Sequence, residues 1–205
     1  MNANSLIILD FETTGLSPDN GDRAIEIGAV KLENGQVTES FQALMNPGRR
    51  ISHFIEDYTG ITNDMLSHAE PCEEVMARFA EFIQGYNLVA HNASFDKRFL
   101  DSELNRISSG YSGTFACSLL IARRLYQTAP NHQLGTLIKF NGIASSGNFH
   151  RALYDSQMTA KLWLAMLTEI KLQTGLEQVP FSLIEKLAKT SKKSVPRFLN
   201  SYSIC

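Results

Sequence analysis

The stretch Ile7-Ile8-Leu9-Asp10-Phe11-Glu12-Thr13-Thr14-Gly15 constrains this chain more than any other. A short apolar run that ends in two carboxylates at alternate positions, followed by threonines and a glycine, reads as a buried strand delivering acidic groups to its open end. Side chains two apart share one face of a strand, so Asp10 and Glu12 point the same way, about 7 Å apart along the chain. Like charges held so close repel unless a cation lies between them, and a hard divalent metal is therefore expected there.

The residues that follow suit an α/β fold. The opening strand is expected over residues 6–11, ended by the turn-forming Ser17-Pro18-Asp19-Asn20-Gly21-Asp22. Ala24 to Leu32 and Val37 to Met45 partly alternate apolar and polar positions around Glu33-Asn34-Gly35, a hairpin signal that predicts a three-stranded meander before residue 47. Asn46-Pro47-Gly48 breaks the pattern, Thr62 caps a short helical turn, and Val75, Met76, Phe79, Ala80, Phe82 and Ile83 recur at helical spacing from Glu73 to Ile83. Leu88 to His91 is a second short apolar run, and Asn92-Ala93-Ser94 turns it into a helix whose first turn carries Asp96. A fifth strand is expected at Thr114 to Cys117. Helices follow at Leu119 to Tyr126 and Leu134 to Phe140, then a loop from Asn141 to Asn148 and a long amphipathic helix from His150 to about Lys171.

At 205 residues the chain is long enough to bury one sizeable core. Its formal charge of −2 excludes a strongly basic coating, although a local basic strip remains compatible with it. Cys72, Cys117 and Cys205 are scattered and lack the spacing of a disulfide framework or zinc site, which suits a reducing, cytoplasmic setting. The polar start Met1-Asn2-Ala3-Asn4-Ser5 does not read as a signal peptide, and no apolar run approaches the ~18 residues of a membrane span, so no membrane association is expected. The domain is drawn over residues 1–175. Residues 176–205 form a basic C-terminal tail with room for one short helix, Leu183 to Lys189, and with phosphate or a protein partner as alternatives to a merely solvated end.

Four acidic residues stand out by position: Asp10, Glu12, Asp96 and Asp155. His150 lies five residues before Asp155, an offset of about 500° on a helix, so at or before the helix start it can swing over the same pocket. Singly, each residue has an ordinary explanation as a helix-end charge, a solvated side chain or a cap.

Together, Asp10-Phe11-Glu12-Thr13-Thr14-Gly15-Leu16, His91-Asn92-Ala93-Ser94-Phe95-Asp96 and His150-Arg151-Ala152-Leu153-Tyr154-Asp155 resemble the three motifs of the DEDDh 3′–5′ exonucleases, a family that includes the proofreading subunits of bacterial replicative polymerases. The resemblance covers about residues 5–172. It implies a ribonuclease-H-like fold, a mixed five-stranded sheet with helices on both faces. It implies two Mg²⁺ or Mn²⁺ ions: Asp10, Glu12 and Asp155 would ligate one, Asp10 would reach the second, and Asp96 would hold that second ion largely through water. Hard oxygen donors and retained waters are what Mg²⁺ prefers. It further implies hydrolysis of the 3′-terminal phosphodiester by in-line attack of water, with ions about 4 Å apart activating the water and stabilising the leaving oxygen. His150 would be the general base.

For the substrate, backbone donors of Thr13, Thr14 and Gly15 are expected to hold the terminal nucleotide and Leu16 to wedge against its base, with core packing as the plain alternative for Leu16. Asn92 ranks above His91 as a cleft residue, Tyr58 is a candidate neighbour of the cleft, and Phe95 is expected in the core. The partner expected is the 3′ end of single-stranded DNA, with RNA open as an alternative. A polymerase or another replication or repair protein and a homodimer stay open as well, and the lack of a long Gln-rich linker leans toward a free-standing enzyme. Two rivals are weaker. An Asp-x-Asp-x-Thr phosphatase would leave Glu12 and the His150–Asp155 pair without roles. A non-catalytic nucleic-acid-binding module would have no reason to keep every costly carboxylate.

Overall fold

The structure, a computed structural model, describes residues 2–147 and 149–203. Met1, Asn148 of the expected loop, Ile204 and the third cysteine, Cys205, lie outside the described residues. The sheet is mixed, as expected, but has six strands rather than five, in the order β4-β3-β2-β1-β5-β6. β1 (Leu6–Thr13), β2 (Ala24–Glu33) and β3 (Gln36–Asn46) form the antiparallel meander. Its hairpin turns on Asn34 and Gly35, both at positive φ (52° and 80°), the geometry whose twist matches that of the flanking strands. β5 (Leu88–Ala90) and β6 (Phe115–Cys117) add in parallel beside β1. The sixth strand, β4 (Glu70–Pro71), is a two-residue parallel edge against Met45 and Asn46, a place where the missing N–H of Pro71 is tolerated.

Helices cover both faces. Ile7, Leu9 and Phe11 of β1 face α3 (Cys72–Phe82) and α4 (Ser94–Arg106), in a core that includes Phe79 and Phe99. Leu6 and Ile8 face the other core, built around Trp163 of the long helix α7 (Ala152–Thr174). By the two-residue period of a strand, Asp10 and Glu12 continue the Leu6–Ile8 face and meet α7. Gly28 on β2 seats that helix: a Cβ there would lie 2.0 Å from the main-chain nitrogen of Leu153, so only glycine admits the helix so close. Ser156 Oγ donates to the Gly28 carbonyl across the contact (2.8 Å).

The remaining helices frame these layers. α1 (His53–Thr59) and α2 (Asn63–Ser67) connect β3 to β4, and Ser52 and Thr62 cap their N-termini by accepting from Ile55 and Met65. α1 has no counterpart in the sequence expectations: it buries few of its side chains and shows no apolar period. α5 (Ser118–Leu125) and α6 (Leu134–Phe140) follow β6. The segment 176–205 holds two α-helices, α8 (Phe181–Lys189) and α9 (Val195–Asn200). Phe181, Leu183, Ile184, Leu187, Val195 and Leu199 insert into the same core as Trp163. Among the described residues, no helix is long and apolar enough to cross a membrane.

Candidate metal and active site

β1 runs past its parallel neighbour, pairing with β5 at Ile7 and Ile8, so the main chain beyond Leu9 has no strand partner on that side among the described residues. The carboxylate of Asp96, from the first turn of α4, fills the gap: its Oδ1 accepts from the Phe11 N–H at 3.2 Å. From the other face α7 brings Asp155. One carboxylate oxygen each from Asp10, Glu12 and Asp155 lie within 4.8 Å of one another. The first and third motifs, from distant parts of the chain, therefore converge at one end of the sheet, and the second places Asp96 beside them.

The electrostatics are severe. Burial first, then the charges of Asp96, Glu12 and Asp155, push the Asp10 carboxyl well above the usual carboxylate range. Glu12 is pushed up to about 8 by burial and by the charges of Asp155, Glu26 and Asp96, with Arg151 pulling the other way. Burial raises Asp96 to about 7 against the stabilising N–H of Phe11. It raises Asp155 to about 6, against the His150 N–H and with the help of the Glu26 charge.

Asp155 supplies the most telling contact. Its Oδ2 accepts from the main-chain N–H of His150 at 2.9 Å, whereas Oδ1 is buried and has no hydrogen-bond partner among the described residues. A buried carboxylate oxygen without a donor is costly unless a cation meets it. The donor set is all hard oxygen, which suits Mg²⁺ or Mn²⁺ and not a soft metal.

Around the carboxylates lies a cleft of about 770 Å³ that also takes in Leu16, Phe54, Tyr58, Asn92 and His150. His150 precedes α7 rather than starting it, at a left-handed φ of 71°, which turns its ring away from the helix and onto Tyr58, ring centroids 4.0 Å apart. Burial lowers its pKa from the ordinary imidazole value. Leu16 is not in the core: it is 80% exposed at the cleft edge. Phe95 packs on Phe99 (5.0 Å) and also borders the cleft.

The loop after β1 is held by its own contacts. Thr13 Oγ1 donates to the Gly15 carbonyl (2.6 Å), and the Thr14 N–H is used on the Arg23 carbonyl (2.9 Å). The amides of Gly15 and Leu16 take no partner among the described residues, which moves the free backbone donors one step along from the Thr13–Gly15 expectation. Asn92, at a positive φ of 72°, lies in the cleft. His91 is bonded on both nitrogens, to Ser118 Oγ and to the His132 carbonyl (2.9 Å each), and fastens the loop before α6 to β5.

Sequence reasoning missed two groups. Glu26, fully buried on β2 opposite Glu12, accepts from Arg151 Nη2 (2.8 Å), from the Ala152 N–H (3.0 Å) and from Gln42 Nε2 (2.9 Å). It clamps the start of α7 between the two ends of the third motif. A charged residue amid Ile25, Ile27 and Gly28 was the available signal. Phe54, 71% exposed, stacks on Tyr58 at 5.9 Å, and the i, i+4 aromatic spacing between Ser52 and Gly60 was its signal.

A family model described as an exonuclease, RNase_T, matches residues 7–163, which hold all three motifs. The chain belongs to the RNase_T exonuclease family. Among curated proteins it is similar to the PolC-type DNA polymerase III of Caldanaerobacter subterraneus subsp. tengcongensis, 39% identical over 173 residues, which are 84% of this chain and 12% of that protein. The chain thus spans about one eighth of the length of that relative. Among solved structures, Exonuclease X in complex with 5′-overhanging duplex DNA superposes with a TM-score of 0.68 at 28% identity, covering 90% of this chain and 98% of that one. A zinc-bound complex of E. coli ExoI with single-stranded DNA shares the fold, with a TM-score of 0.70 at 21% identity over 84% of this chain and 41% of that one. The nuclease domain of 3′hExo, described as a DEDDh family member, shares the fold with a TM-score of 0.68 at 21% identity over 81% of this chain and 92% of that one, in keeping with the ribonuclease-H-like architecture expected from the motifs.

Proposed function

We propose that this chain is a metal-dependent 3′–5′ exonuclease that releases nucleoside monophosphates from the 3′ end of DNA. The observation that carries the reading is the convergence of Asp10, Glu12 and Asp155 within 4.8 Å, with Asp155 Oδ1 buried and undonated. Asp10, Glu12 and Asp155 would hold one divalent ion, Mg²⁺ or Mn²⁺, and Asp96 with Asp10 a second. When bound, such ions lower the pKa of the attacking water and neutralise charge on the leaving oxygen.

The chain's own residues supply the rest. His150, turned into the cleft, takes the proton of the attacking water at its ring nitrogen. The free amides of Gly15 and Leu16 hold the terminal nucleotide, and exposed Leu16 borders its base. Phe54 and Tyr58 offer aromatic faces for stacking, which every base accepts regardless of sequence.

DNA is favoured over RNA by the 39% identity to a DNA polymerase and by the likeness to an exonuclease solved with duplex DNA. The same relatives favour a role in replication or repair, in the cytoplasm, alongside or within a polymerase. The test is digestion with Mn²⁺ of single-stranded DNA, mismatched duplex DNA and RNA of one sequence with defined 3′ ends. DNA shortened faster than RNA is the expected result. Preferential digestion of RNA would move the enzyme to the exoribonucleases, and no release from any substrate would leave a binding module.

A further inference from the structure

Charge is divided unevenly along the chain. Residues 1–120 carry 8 Lys and Arg against 17 Asp and Glu, whereas residues 121–205 carry 11 against 4. Pairing divides the same way. Arg23, Lys31, Arg49, Arg78, Lys97 and Arg106 sit in ion pairs, leaving only Arg50 and Arg98 of the first group outside them. In the second group Arg151 alone among the described residues has a carboxylate partner. Apart from Arg151, the cations of the C-terminal part are therefore not engaged by acids among the described residues.

Part of this C-terminal group is tied to the helix that reaches the cleft. A lobe of about 720 Å³ runs from Asp10, His150 and Asp155 out to Arg123, near the end of α5. The next residue, Arg124, donates from Nε to the Thr190 carbonyl at 3.1 Å, and Gln127 donates from Nε2 to the Lys192 carbonyl at 3.1 Å. Leu187 and Val195, both buried, anchor the segment on either side. Lys189, Lys192 and Lys193 are exposed, carried on a segment bonded to α5 and the residues just after it, and have no carboxylate partner among the described residues. They also lie beyond the residues 7–163 that the family model matches.

We infer that Arg123, Lys189, Lys192 and Lys193 form a track for the phosphate backbone of the strand leaving the cleft. The inference rests on the nuclease reading above. A single strand that places its 3′ end at the carboxylates must lead its remaining phosphates over the surface, and the acid-rich part repels them. Unpaired lysines exchange condensed counterions for phosphate contacts, and the binding then weakens with salt.

The test measures affinity for a 20-nucleotide strand against salt in EDTA, where no metal supports hydrolysis, for the full chain and for a Lys189→Gln, Lys192→Gln, Lys193→Gln triple variant. Three lost phosphate contacts lower the slope of log K against log salt by about 2, so the wild type loses roughly 20-fold more affinity than the variant between 50 and 200 mM salt. A triple change of equal charge among paired cations, Lys31→Gln, Arg78→Gln and Lys97→Gln, is expected to keep the wild-type slope. A lysine variant with the wild-type slope, a control that loses as much, or a wild type that does not bind the strand each overturns the track. Failure of the nuclease reading is seen separately, as absence of Mn²⁺-dependent shortening of a trinucleotide by the wild type.

Discussion

His150 and Asp155 are joined through the main chain: the His150 N–H donates to Asp155 Oδ2 at 2.9 Å, and Oδ1 of the same carboxylate is buried without a donor among the described residues, in the group that comes within 4.8 Å of Asp10 and Glu12. In the proposed mechanism one carboxylate thus both fixes the residue that would bear the base and would offer a ligand. Asp155→Asn separates the two jobs, since the amide oxygen still accepts from His150 while the charge is lost. Turnover of a DNA strand should fall by at least about 10²-fold, because a bound metal contributes several kcal/mol and each 1.36 kcal/mol is a factor of ten. Circular dichroism should show an intact fold. Wild-type turnover in Asp155→Asn would remove Asp155 from the metal site.

His150→Ala removes a ring that stacks on Tyr58 and makes no hydrogen bond to a ligand carboxylate. At saturating Mn²⁺ the loss of turnover is expected to be on the order of 10²–10⁴-fold with metal affinity little changed. Because burial holds the imidazole below its ordinary pKa, the wild-type rate should rise with pH through a limb lying below the usual histidine range, and the variant should lack that limb. A variant with the same limb would assign it to another group.

The carboxylates make the metal-free protein sensitive to pH. Unfolded Asp and Glu titrate near pH 4 by their ordinary values. In the folded chain Asp155, Asp96 and Glu12 are raised to about 6, about 7 and about 8. The native state therefore binds more protons than the unfolded state across that window. The stability these groups contribute is fully present below about pH 4 and is lost as pH rises to about 8. Thermal unfolding in EDTA should show Tm falling over this range, and Mn²⁺ should flatten the fall and release protons on binding near pH 7. A Tm in EDTA that rises between pH 5 and 8 would contradict the arrangement.

Glu26 is a structural clamp on the start of α7. Glu26→Ala leaves the Ala152 N–H and the Arg151 guanidinium without their acceptor, and urea unfolding should show a loss of about 3 kcal/mol, in keeping with the cost of removing one partner from a buried pair. Glu26→Gln keeps an acceptor and should lose less. Equal stability of Glu26→Ala and the wild type would show that α7 is seated by Gly28 and Trp163 alone.

Part of this site was legible in residues 7–16 because a strand has a period of two: Asp10 and Glu12 had to project together. Asp96 and Asp155 could be placed at helix starts from the turn residues before them, and the motif spacing joined the three segments. The Glu26–Arg151 pair could not be read this way, since its members are 125 residues apart and meet only through the register of β1 with β2 and the docking of α7. α1 escaped because its exposed Phe54 and Tyr58 serve the cleft rather than a core, so no apolar period marks it. In the C-terminal segment the lysines drew attention to solvent. Phe181, Leu183, Ile184 and Leu187, however, form an apolar stripe that ties the segment to the core, so deletion of residues 176–205 would expose that core instead of trimming a tail.

In the proposed mechanism Asp10 and its neighbouring carboxylates hold the metal for hydrolysis at a 3′ end. It is tested most directly by following a 5′-labelled single strand of DNA with the wild type and with Asp10→Asn, each in Mn²⁺ and in EDTA. The expected result is a ladder of labelled products shortened one nucleotide at a time by the wild type in Mn²⁺ alone. A labelled mononucleotide released from the 5′ end, or shortening that persists in EDTA or in Asp10→Asn, would contradict it.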